Sequence, residues 1–149
     1  MKKISIAVAA VAAIAATPAF AGEARVEARG GIVWAAGDEE AVAGAAAGYD
    51  FDLGQEGKTF VGVEGSVDKI LADGTDVVFG LTARVGAHTS ANGKFYIAGG
   101  YSFNDGDAWH LGAGYQHKVS NNVYLKAEYR RFFEAVDVNS AVLGLGVTF

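Results

Sequence analysis

Polar and apolar residues alternate along most of the chain. At its end Ala141, Leu143, Leu145, Val147 and Phe149 fall on one face, with Val142, Gly144, Gly146 and Thr148 on the other. A period of two marks a β-strand with unlike faces, because successive side chains point to opposite sides. The same pattern sets Trp109, Leu111, Ala113 and Tyr115 against His110, Gly112, Gly114 and Gln116. It sets Val123, Leu125, Ala127 and Tyr129 against Tyr124, Lys126, Glu128 and Arg130. Upstream, Phe79, Leu81, Ala83 and Val85 oppose Gly80, Thr82, Arg84 and Gly86, and Ala24, Val26 and Ala28 oppose Arg25, Glu27 and Arg29.

The alternation predicts eight strands, over 23–34, 41–53, 59–68, 76–87, 95–104, 108–119, 123–133 and 140–149. Between them lie Gly37-Asp38, Gly54-Gln55-Glu56-Gly57, Asp73-Gly74, Asn92-Gly93, Asn104-Asp105-Gly106-Asp107 and Asn121-Asn122, which carry the residues that tight turns require. The second segment is alanine-rich, which favours helix. Gly44 and Gly48 interrupt it and Tyr49-Asp50-Phe51-Asp52-Leu53 alternates, so it reads as strand.

The start of the chain breaks the pattern. Met1-Lys2-Lys3 is basic, Ile4 to Ala16 is apolar, and Ala19-Phe20-Ala21 has the small residues of an A-x-A cleavage site. This predicts a secretory signal peptide over 1–21, since thirteen apolar residues fall short of the roughly 20 a membrane-spanning helix needs. The remainder, 22–149, is long enough for one domain. Removing the signal takes away two of 12 basic residues and none of 17 acidic ones, which leaves net charge −7. It also removes Pro18, the chain's one proline, so every later residue can donate to a β-ladder. No later apolar run is long enough for a membrane-spanning helix. An acidic chain argues against a nucleic-acid partner. The absence of Cys removes disulfides, thiolate-ligated metals and a thiol nucleophile.

Strands of about ten residues have the length of tilted membrane-crossing strands. The polar face is unusual for a soluble sheet, since it combines many glycines with Arg25, Glu27, Arg29, Glu64, Arg84, Lys126, Glu128 and Arg130. In a narrow eight-stranded barrel the interior is just wide enough for side chains to fill. Opposite charges pair there and glycines give them room, so these eight residues are expected to form a lumen charge network centred on Glu64, Glu128, Arg84 and Arg130. The sixteen aromatics after the signal divide evenly between the two ends under strict strand alternation. Tyr49, Phe51, Phe60, Phe95, Tyr96, Tyr115, Tyr124 and Phe149 are assigned to the periplasmic end. Trp34, Phe79, Tyr101, Phe103, Trp109, Tyr129, Phe132 and Phe133 are assigned to the outer end. Two interfacial girdles are expected, with Tyr124 and Phe132 turned inward.

With its signal, eight alternating strands, the segment Asn122-Val-Tyr-Leu-Lys-Ala-Glu-Tyr-Arg130 and a last strand ending in Phe149, the chain resembles small outer-membrane barrels. The family is that of the OmpA-type transmembrane domain, OmpX and the opacity-type surface proteins. The resemblance covers 22–149 and lacks the periplasmic peptidoglycan-binding domain of full-length OmpA. It implies an all-β fold, an eight-stranded antiparallel up-and-down transmembrane β-barrel, in the cell outer membrane after export through the periplasm. It also implies that Leu143, Leu145, Val147 and Phe149 form the strand recognised by the outer-membrane assembly machinery.

Candidate chemistry is sparse. His88-Thr89-Ser90 resembles the His-x-Ser of outer-membrane lipid A deacylases, but such a pair needs an orienting acid. The sequence places none beside it, and a solvated periplasmic turn is expected. His110 and His117 are an odd number of positions apart and so on opposite faces, which rules out a simple shared metal site. The outer loops are acidic, with Asp38, Glu39, Glu40, Asp73, Asp76, Asp105, Asp107, Glu134 and Asp137 and with Lys69 almost alone among bases. Solvated loop tips are expected there, with divalent cations that bridge lipid head groups as a second reading. The expectation is a monomeric surface protein with a structural, envelope-integrity or surface-contact role, in contact with outer-membrane lipids and without catalytic residues, cofactor or metal. The alternatives are a narrow ion-permeable pore, a lipid-modifying enzyme and a soluble periplasmic carrier of a small ligand.

Overall fold

The computed structural model describes residues 22–53, 58–104, 107–133 and 137–149. The signal peptide read over 1–21 lies outside the described residues, as do the turn 54–57 and the loop acids Asp105 and Glu134. Eight strands follow one another: β1 (Gly22–Ala35), β2 (Asp38–Leu53), β3 (Thr59–Ile70), β4 (Val77–His88), β5 (Gly93–Phe103), β6 (Ala108–Lys118), β7 (Val123–Phe133) and β8 (Val138–Thr148). Each pairs antiparallel with its neighbours in the chain, and β8 closes on β1. Closure leaves no free strand edge along the barrel wall.

The register sets the dimensions. From Arg29 the ladder runs through Gly44 and Asp68 to Val78 on β4. In the other direction it runs through Gly144, Lys126, Gln116 and Lys94 to His88, ten residues further along the same strand. Eight strands with that stagger tilt by about 40° on a backbone radius of roughly 8 Å. An eleven-residue strand then rises about 28 Å along the axis, enough to cross the roughly 25 Å apolar band of an outer-membrane barrel.

The distribution of side chains is inverted relative to a soluble protein. Trp109, Leu81 and Leu143 are 64–70% exposed on the outside, whereas Arg25, Glu64 and Lys126 are at most 2% exposed inside. A soluble carrier would turn its apolar faces inward, so this arrangement excludes that alternative.

Two expectations need correction. Asp38, Glu39 and Glu40 are not loop residues but the start of β2, paired with Ala35, Trp34 and Val33. The connection is a two-residue turn at Ala36-Gly37, one position earlier than expected, with φ of 51° and 100°. Positive φ at both positions matches the twist of adjoining strands and lets pairing run up to the turn. Phe60 and Tyr96 are not girdle members either, because each is fully buried in the lumen with Tyr124. Their positions share the inward parity of Glu64 and Ala98, and parity decides over closeness to a strand end.

Candidate functional site

Alternation on a narrow barrel leaves charged side chains nowhere to go but the bore. All eight charged residues singled out in the sequence, Arg25, Glu27, Arg29, Glu64, Arg84, Lys126, Glu128 and Arg130, point inward and are buried. The structure joins seven of them into one cluster around Glu64. Arg25 Nη1 lies 2.7 Å from Glu64 Oε2, Arg29 Nη1 3.2 Å from Oε1, and Arg130 Nη2 2.6 Å from Oε1. Lys126 Nζ stands 3.7 Å from Glu64 Oε2 and also pairs with Glu27 and Glu128. Arg130 reaches Glu128 through Nε. Carboxylates of β1, β3 and β7 are thus bridged by cations of β1 and β7, and the bridges cross the bore.

Arg84 does not belong to that centre. It pairs with Asp50 through Nε at 2.8 Å and through Nη2. Its guanidinium lies 4.6 Å from the Tyr96 ring centroid and 5.3 Å from that of Phe60. The stagger of the strands explains the separation. Arg84 faces Gly62, two positions nearer the terminal end of β3 than Glu64. Asp50, unclaimed in the sequence reading, anchors this second cluster, with Lys94 Nζ at 3.3 Å and Arg25 Nε at 3.6 Å.

Other members were missed as well. Asp68 accepts both Nε and Nη2 of Arg29. Glu23 accepts from Lys94 at 2.9 Å and from Lys118. Tyr96 donates to Glu128 at 2.5 Å, and Tyr124 to Glu27 at 2.8 Å. Parity marks them all, since Asp50 opposes the Tyr49 and Phe51 face and Asp68 is four positions from Glu64. The glycines make room, because a Cβ at Gly114 would collide with the Tyr96 phenol and one at Gly146 with Tyr124. Buried ions without partners are costly, so a bore this charged holds together only when its pairs are complete.

A closed eight-stranded antiparallel barrel has known counterparts. No family model and no curated protein matches the chain, but solved structures do. The N-terminal β-barrel domain of Pseudomonas aeruginosa OprF superposes with a TM-score of 0.64 at 18% identity, over 87% of this chain and 98% of that one. Ail, the attachment invasion locus protein of Yersinia pestis, gives 0.60 at 17% identity, over 87% and 100%. The fold is that of the small outer-membrane β-barrels. The de novo designed barrel TMB2.3 matches equally well, with a TM-score of 0.62 at 18% identity over 88% and 97%. A designed protein matching as well as natural ones means that the likeness carries architecture and not a role.

The remaining candidates are placed as follows. His88 sits at the terminal rim with Nε2 3.3 Å from Asp52 Oδ1 and its ring edge-on to Phe60. The sequence reading put no acid there; β2 and β4 both flank β3 and bring Asp52 and His88 to one rim. His110 points inward between Thr82 and Ser102, whose hydroxyls lie 2.9 and 3.2 Å from its two ring nitrogens. His117 points outward against Tyr115. Among the described residues no group of three or more His, Cys, Asp or Glu is arranged to hold a metal ion. On β8, Leu143, Leu145 and Val147 face outward, and the Phe149 amide donates to Ala24 O at 2.9 Å.

Proposed function

We propose that the chain is exported by a signal peptide over 1–21 and resides in the outer membrane as a closed, non-enzymatic surface barrel, 22–149, with a structural or surface-contact role. The observation that carries this reading is the ion-paired bore inside an apolar outer belt. Bridges among Arg25, Arg29, Glu64, Lys126, Glu128 and Arg130 occupy the lumen between opposite walls. They hold the barrel wall together from within and leave the lipid-facing strands free of charge along their middle. The termini face the periplasm in this reading. The last strand, with Leu143, Leu145, Val147 and Phe149 on its outer face, is what the assembly machinery takes hold of.

Two measurements on the refolded protein test the reading. A closed membrane barrel migrates differently in boiled and unboiled gel lanes and resists protease in the unboiled form. In planar bilayers it gives no discrete conductance steps. Steps that change when Arg84 or Glu128 is neutralised would replace the structural role with a narrow pore.

A further inference from the structure

The bore is filled unevenly. Towards the end that carries the termini, Phe60, Tyr96 and Tyr124 are wholly buried among the ion pairs and stop it. Towards the opposite end a cavity of about 90 Å³ remains. Val33, Val42, Ile70, Val78, Phe132 and Val138 form its apolar wall, and Arg29, Asp68 and Arg130 its charged floor, with Ser102 and Ser140 beside them.

An apolar collar at this place is unexpected. These positions have the inward parity that elsewhere in the bore carries mostly charged, small or hydroxyl-bearing residues, and the mouth of an outer-membrane barrel is ordinarily wet. A simple hydrophobic plug would close on itself at the density of a protein interior. Here Val33, Ile70, Val78, Phe132 and Val138 are only half-buried, so they line space rather than fill it. Apolar walls with a few convergent polar groups are the usual make-up of a small-molecule site.

The floor decides the head group. Both carboxylate oxygens of Asp68 are taken by Arg29. Arg130 gives Nε to Glu128 and Nη2 to Glu64, which leaves Nη1 for a ligand. A guanidinium N–H with a serine hydroxyl beside it suits a carboxylate. We propose that this cup binds a small monocarboxylate with an apolar body, its head at Arg130 and Ser140 and its body against the valine collar. The enclosed part, about 90 Å³, is smaller than the roughly 150 Å³ cavity that holds benzene, so it takes the head and first carbons of a chain such as hexanoate, whose remainder lies in the open mouth against the half-buried valines. Because the bore is stopped below, the ligand leaves by the mouth it entered. The site does not depend on which side of the membrane that mouth faces.

The test is a titration of the protein, refolded in zwitterionic phospholipid nanodiscs, with hexanoate, hexylammonium and inorganic phosphate, read by methyl NMR of valine and leucine. Hexanoate is expected to shift the Val33, Val42 and Val138 methyls saturably and to leave the lipid-facing Leu143 and Leu145 methyls in place. Hexylammonium and phosphate are expected to bind at least tenfold more weakly. Val138→Trp, which fills the cup while leaving every ion-pair residue in place, abolishes the shifts, and Arg130→Lys weakens hexanoate about tenfold. No saturable shift at the collar in the wild-type protein overturns the site, and equal binding of hexylammonium overturns the carboxylate assignment.

Discussion

Glu64 on β3 and Arg130 on β7 are 66 residues apart in the chain and meet in the bore, Oε1 to Nη2, at 2.6 Å. Glu64 also faces Arg25, Arg29 and Lys126, so one carboxylate balances four cations from two strands. Removing its charge leaves those buried cations facing one another with one fewer carboxylate among them. Glu64→Gln is therefore expected to destabilise the barrel by about 3–5 kcal/mol. The measurement is the urea midpoint of refolding into lipid vesicles, followed by the gel shift. An unchanged midpoint means that the cations find other partners and the cluster has no centre.

Glu128 gives an independent test. Its loss deprives Arg130 Nε and the Tyr96 hydroxyl of their acceptor. Glu128→Ala should lower the same midpoint, by about 3 kcal/mol. The double variant with Tyr96→Phe should cost less than the two single changes added together, because the second change removes a donor already orphaned by the first. Strict additivity would show that the 2.5 Å contact between Tyr96 and Glu128 contributes nothing.

Gly114 lies under the Tyr96 ring, where an added Cβ would meet the phenol oxygen and Cζ. Gly114→Val must push Tyr96 away from Glu128 or bend β6. The expected loss is about 1–3 kcal/mol, typical of overpacking. Gly65 gives the control, since a Cβ there meets nothing within 4 Å. Gly65→Val is expected to leave the midpoint unchanged or raise it. Equal effects at both sites would mean that backbone freedom, and not lumen space, explains the glycines.

Much of this was legible from parity alone. The eight strands, and the inward placement of Arg25, Glu64 and Glu128, follow from a period of two on strands whose other face is apolar. The partners within the bore did not follow. A ladder register staggered by ten residues around the barrel decides that Glu64 faces Arg130 while Arg84 faces Asp50, and no local pattern encodes that stagger. Lys94 was overlooked because it precedes the expected start of β5, and strand ends are where alternation fades. Phe60 and Tyr96 were assigned to a girdle by closeness to a strand end, although their parity already pointed inward. The apolar collar was hidden because Val33, Val42 and Val78 sit at ends where both faces are apolar, and Val138 precedes the expected start of the last strand.

Ala36 adopts φ of 51° in the turn between β1 and β2, a conformation that costs an L-residue with a Cβ roughly 1–2 kcal/mol. Asn tolerates it, and Asn-Gly is the favoured pair for such a turn. Ala36→Asn should raise stability by about 1 kcal/mol and Ala36→Val should lower it by at least as much, both read from the same urea midpoint. The opposite order would mean that the turn takes another form in the folded protein.

Phe149 separates assembly from stability. Its side chain is 72% exposed and its amide donates to Ala24 O, just past the last ladder pair between β8 and β1. Little packing is lost when the ring is removed, so Phe149→Ala should refold in detergent with a midpoint within about 0.5 kcal/mol of the parent, as for exposed positions elsewhere. If the alternating strand ending at this residue is what the assembly machinery reads, the same variant should accumulate much less folded, heat-shifted protein in cells. The outer-facing ring of Trp109, 68% exposed in the same apolar belt, gives the comparison, since Trp109→Ala removes a lipid contact without touching the last strand. A deficit in cells that is specific to Phe149→Ala assigns the ring to recognition. Equal deficits for the two variants would assign it to lipid anchoring instead.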